Sequence, residues 1–63
     1  MDYIETIIQT RLSQIMSEIK DILLYNAYDD SDSVKSSYNW LKAYVKRLGE
    51  ALNAKHKVCD VDE

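Results

Sequence analysis

The sequence predicts an all-α fold: an antiparallel two-helix hairpin that dimerises into a four-helix bundle. Three observations carry that expectation. Two stripes of mostly apolar residues step along the chain by threes and fours, one dense cluster of turn residues separates them, and helix breakers are nearly missing. The 63 residues contain no proline and only one glycine, Gly49. Residues 1–57 form the predicted hairpin and residues 58–63 a flexible acidic tail.

The first helix is expected over about residues 2–28. Its stripe runs Ile8, Leu12, Ile15, Ile19, Ile22 and Asn26, in steps of four, three, four, three and four. Asp2, with Glu5 three residues on, can cap its start. The turn is placed at about 29–32, within the cluster Asp29, Asp30, Ser31, Asp32 and Ser33. Side-chain oxygens there, from Ser31 or its neighbours, can accept from the unpaired N–H groups that open a helix. Their negative charge also suits the positive end of the helix dipole.

The second helix is expected over about 33–55, with Val34, Tyr38, Leu41, Val45, Leu48 and Leu52 repeating the same steps. Pairing the stripes across the turn sets 8 against 52, 15 against 45 and 22 against 38, so that each pair of numbers sums to 60. Gly49 costs about 1 kcal/mol relative to alanine inside such a helix. It either admits a close neighbour or marks fraying toward the tail.

One seam is little core for a chain of this length, because small domains bury too small a share of their surface to be stable without a staple. The single cysteine excludes an internal disulfide. The sequence therefore predicts that a second layer is hidden by a partner. Candidates are Ile4, Ile7, Met16, Leu23 and Tyr25 on the first helix and Trp40, Tyr44 and Ala51 on the second. Trp40, Tyr44, Arg47, Ala51 and Ala54 form a further stripe beside the main one. The simplest cover is a second copy, giving a homodimer. Asn26 would set its register.

Charge divides the chain. Residues 1–32 hold seven acids and two bases, residues 33–57 hold one acid and six bases, and residues 58–63 add three acids, for a net charge of −3. The halves can attract one another, or one can face an outside partner. The longest hydrophobic run, residues 22 to 25, is far shorter than a membrane span, and no signal-peptide pattern opens the chain. The expected place is the cytoplasm, or the host-cell cytoplasm, with no membrane partner.

Little in the sequence suggests catalysis. A nucleophilic arrangement would need His56, the only histidine. No glycine-rich phosphate loop exists. His56 and Cys59 have the spacing of a metal clip, but only Asp60, Asp62 and Glu63 stand near to complete it. The acidic turn lacks the glycine and closing glutamate of a calcium loop. The sequence thus predicts no enzyme, no cofactor and no metal.

Binding is better supported. Trp40, Tyr44 and Arg47 have the composition of an interface hot spot. With Ala51, Tyr25, Tyr28, Met16 and Leu23 they form the predicted protein-binding or dimer surface. Leu24 and Tyr3 stand on the row away from the seam and can extend it. Lys35, Lys42, Lys46 and Arg47 are the candidates for contacting phosphates.

The layout resembles that of the Rop-type RNA-binding plasmid regulators, chains of similar length whose two helices turn near the middle, dimerise into a four-helix bundle and end in an acidic tail. The resemblance implies architecture. It does not transfer that family's RNA site, which uses polar, basic and aromatic side chains on the exposed face of the first helix. Here that row presents Thr10, Ser17 and Leu24 on a net acidic helix.

The leading expectation is a small non-enzymatic regulator or inhibitor of a protein partner, of the kind encoded by phages and mobile elements. The alternatives are a nucleic-acid-binding modulator acting through the basic side of the second helix, and a structural assembly adaptor.

Overall fold

The structure is a computed structural model describing residues 3–57. Helix α1 spans Tyr3–Ala27 and α2 spans Ser31–His56, joined by a three-residue turn and packed side by side. All the regular structure among the described residues is helical. The predicted tail at 58–63 and the cap at Asp2 lie outside those residues.

The turn is built from two interlocking caps. Asp29 takes the left-handed conformation (φ 58°), the Asp30 N–H donates to the Tyr25 carbonyl at 3.0 Å, and the Asp29 N–H donates to the Asn26 carbonyl at 3.1 Å. That pairing is a Schellman closure of α1, with aspartate where glycine is usual. One residue later Asp30 caps α2: its carboxylate accepts from the Ser33 N–H at 3.2 Å and from the Ser33 hydroxyl at 2.7 Å. Because Asp30 supplies the cap, α2 begins at Ser31 and not near 33. At the far end Lys57 is left-handed (φ 54°) and its N–H donates to the Asn53 carbonyl at 2.9 Å, closing α2.

These two aspartates should respond oppositely to substitution. Asp30→Ala removes the cap and should lower stability by about 0.5–2 kcal/mol. Asp29→Gly relieves a left-handed non-glycine residue and should raise stability by about 0.5–1 kcal/mol. Thermal melts followed by circular dichroism, at one protein concentration, check both. Shifts of the same sign would contradict the turn as described.

The hairpin does not bury the whole of either predicted stripe. On α1 the contact line follows Ile4, Ile8, Arg11, Ile15, Glu18, Ile22 and Tyr25; on α2 it follows Val34, Ser37, Leu41, Tyr44, Leu48 and Ala51, all buried or half-buried. Leu12, Ile19, Tyr38 and Val45, predicted for the seam, are instead 44%, 52%, 52% and 49% exposed. Asn26 is exposed as well. The seam has turned toward Ser37 and Ala51, which are the buried residues of α2. Small side chains at the line of closest approach let two helices come together, and the isoleucines of α1 fill the space beside them.

Candidate functional site

Because α1 and α2 are antiparallel, residues flanking the contact line on one side of α1 share a broad side of the hairpin with the matching flank of α2. The molecule is one layer, 12 Å through its thinnest dimension. A helix hairpin with one layer presents two such sides, and their chemistry differs.

The first side is apolar. On α1 it carries Leu12, Met16, Ile19, Leu23 and Asn26, and on α2 Tyr38, Lys42, Val45, Gly49 and Leu52, each in steps of four, three, four and three. Met16 and Leu23 are 59% and 72% exposed. Lys42 does not interrupt the surface as a bare charge, since its ammonium lies over the Tyr38 ring, 5.0 Å from the centroid. A Cβ built on Gly49 would meet nothing within 4 Å, so nothing inside the chain requires glycine there. Monomeric proteins rarely leave so continuous an apolar surface uncovered.

The second side carries the aromatic and arginine groups. Trp40 is 53% exposed and stacks on Tyr44, with ring centroids 5.8 Å apart and planes 25° apart. Tyr44 is half-buried at the contact line, so it fixes the indole from beneath. Arg47 and Ala54 continue the Trp40 row. At the open end of the hairpin this side hollows into a groove of about 600 Å³, with Ile4, Ile7, Ala51 and Ala54 along its walls and Arg11, Arg47 and Glu50 as its charges. Arg11 donates from Nη1 to Gln14 Oε1 at 2.8 Å, while its buried Nε has no acceptor among the described residues. A buried donor left unpaired costs about 1–3 kcal/mol.

The residues proposed from the sequence for one surface thus fall on several. Trp40, Tyr44 and Arg47 share the second side. Met16 and Leu23 belong to the first. Ala51 is buried against α1, Tyr25 is half-buried near the turn, and Tyr28 is exposed within the turn. Lys35, Lys42 and Lys46 form one exposed row on α2, but Arg47 stands about a quarter-turn or more away from them. Arg11 and the groove were not anticipated. Arg11 interrupts an apolar pattern three residues after Ile8, and that interruption was the available signal.

The open end is tied by Lys55, which pairs with Glu5. The Glu5 carboxyl is held below the ordinary carboxylate range, chiefly by the hydrogen bond from Lys55, then by its charge, then by the Gln9 amide at 3.2 Å; partial burial opposes these weakly. A carboxyl with a depressed folded value contributes stability that is complete above the unfolded value, about 4.3, and is lost as pH falls through the lower folded value. Carbon-detected NMR titration should place the Glu5 midpoint below that of a free glutamate, and Lys55→Met should move it up. An unchanged midpoint in the variant would mean that the ion pair is not formed.

Among the described residues, no group of three or more histidine, cysteine, aspartate or glutamate side chains could hold a metal ion, and no helix is long and apolar enough to cross a membrane. Cys59, Asp60, Asp62 and Glu63 of the clip lie outside those residues. Compared with protein-family models, curated proteins and solved structures, the chain has no match.

Proposed function

We propose that this chain is a non-enzymatic interaction protein, a small regulator or inhibitor that works as a homodimer and holds a protein partner. The two unlike sides divide the labour. The apolar side of Leu12, Ile19, Tyr38 and Val45 meets its counterpart on a second copy and completes a four-helix bundle. The side of Trp40, Tyr44 and Arg47 then faces outward to the partner. The observation that carries this reading is the Trp40–Tyr44 stack, an aromatic surface propped up by the hairpin itself and left more than half open. Tryptophan, tyrosine and arginine are the side chains that dominate protein interfaces energetically.

Several features support a second copy as cover for the apolar side. Helices of about 25 residues are about 37 Å long, and two of them side by side at 8–10 Å spacing offer a face of about 700–800 Å². That is close to the roughly 800 Å² each partner contributes to a standard stable interface. The face has no acidic side chain, and its one charged group, Lys42, is held over the Tyr38 ring. Gly49, unneeded within the hairpin, gives the copy's helix room to approach.

The test is affinity capture with the full chain from its native cells, run beside Trp40→Ala. Retention of a protein by the wild type and its loss from the variant supports the reading. Captured material that is nucleic acid, and that depends on Lys35, Lys42 and Lys46 and falls off steeply with salt, would replace it with the nucleic-acid modulator.

A further inference from the structure

We infer that the groove at the open end of the hairpin binds an acidic peptide segment of the partner, one whose carboxylate is flanked by apolar side chains. This deepens the proposed function and rests on it, because it names the chemistry that the outward side selects. Arg11 comes from α1 and Arg47 from α2, so both helices bring an arginine to the groove, against the single counter-charge of Glu50 in its lining. Among the described residues neither arginine is paired with a carboxylate. Arg11 is also steadied by Gln14, and its buried Nε lacks an acceptor among the described residues. A carboxylate is the acceptor that guanidinium geometry fits best, through two parallel N–H···O bonds.

The rest of the groove explains why the carboxylate should arrive on a peptide. Ile4 and Ile7 face Ala51 and Ala54, a large-against-small pairing that leaves the space open and lines it with hydrocarbon. A simple anion would gain the charges and waste that surface, whereas leucine-like side chains on either side of a glutamate would use both. Trp40 lies two helical turns from Arg47 along the same row, about 10 Å away, so a partner seated on the indole can extend a segment into the groove.

The experiment is an NMR titration of the full chain, labelled with nitrogen-15, with a short end-blocked peptide alternating leucine and glutamate. The same peptide with glutamine for glutamate and inorganic phosphate are the comparisons. Saturable shifts of the Arg11 Nε–H signal and of the Ile4, Ile7 and Ala54 amides, given by the acidic peptide and at least about tenfold weaker with the glutamine peptide, support the inference. Arg47→Gln should weaken that binding at least tenfold, and Glu50→Gln should strengthen it. Equal shifts from phosphate would reduce the groove to an anion site and overturn the proposal, as would shifts scattered over the lysine row. If neutralising the chain's own Asp60, Asp62 and Glu63 moved the groove signals without added peptide, the occupant would be that segment and the partner claim would fall. An inert groove beside Trp40-dependent capture of a protein would remove this inference and leave the proposed function standing; loss of Trp40-dependent capture would remove the function itself.

Discussion

Ile19→Asp is expected to reduce the particle from twice the 7.3 kDa chain mass to a single chain, and to abolish the dependence of its melting temperature on dilution. Ile19 sits near the middle of the apolar side, between Met16 and Leu23 and more than half exposed in the lone hairpin. Within one chain an aspartate there stays in water and costs little. Across a two-copy interface it would place an unpaired charge in a dry contact, at about 3–5 kcal/mol. That corresponds to a weakening of association of at least about 150-fold, at 1.4 kcal/mol per tenfold. Ser13→Asp, on the exposed outer row of α1, should leave the mass unchanged and controls for added charge. Light scattering after size exclusion decides the matter, with melts over a hundredfold range of concentration as the second readout. A wild-type chain that is monomeric and melts independently of dilution would remove the bundle.

Trp40→Ala is expected to cost the partner at least about 2 kcal/mol, roughly thirtyfold in affinity, while leaving helix content and mass as they were. The reason for separability is in the burial pattern. Trp40 touches its own chain through the stack on Tyr44, a contact worth about 0.5–1.5 kcal/mol. Tyr44 is half-buried at the hairpin contact line, so Tyr44→Ala should damage folding and binding together. Trp40→Phe should restore part of the affinity by keeping a stacked ring. Should Trp40→Ala lower the mass and spare the partner, the two sides would have to exchange roles, with the aromatic side buried between copies.

How far the sequence reached can be judged element by element. The two helices and the turn between them were legible because each is local. A ladder of three- and four-residue steps has no other regular conformation that gathers its side chains, and no proline or glycine interrupts either ladder before Gly49. The cap was legible to within a residue, since any of several oxygens in the cluster could serve and only backbone geometry selects Asp30. The paired Trp40 and Tyr44 were legible from their spacing of four. The groove was not, because it depends on which residues of α1 stand across from Ala51 and Ala54. The proposed surface residues were split between two sides for the same reason: a linear pattern says which residues share a face of one helix, not which flank of that face the neighbouring helix covers.

What the sequence determined by itself was the pair of rods and their reversal near Asp30, because hydrogen bonds between near neighbours and a repeating apolar period need no knowledge of the rest of the molecule. What only the tertiary structure decided was which edge of each stripe faces inward. Two cylinders touch along a line narrower than an apolar stripe, so one edge of it must stay outside. The small side chains of Ser37 and Ala51 drew the contact line toward themselves, leaving Leu12, Ile19, Tyr38 and Val45 on one broad side and Trp40 and Arg47 on the other.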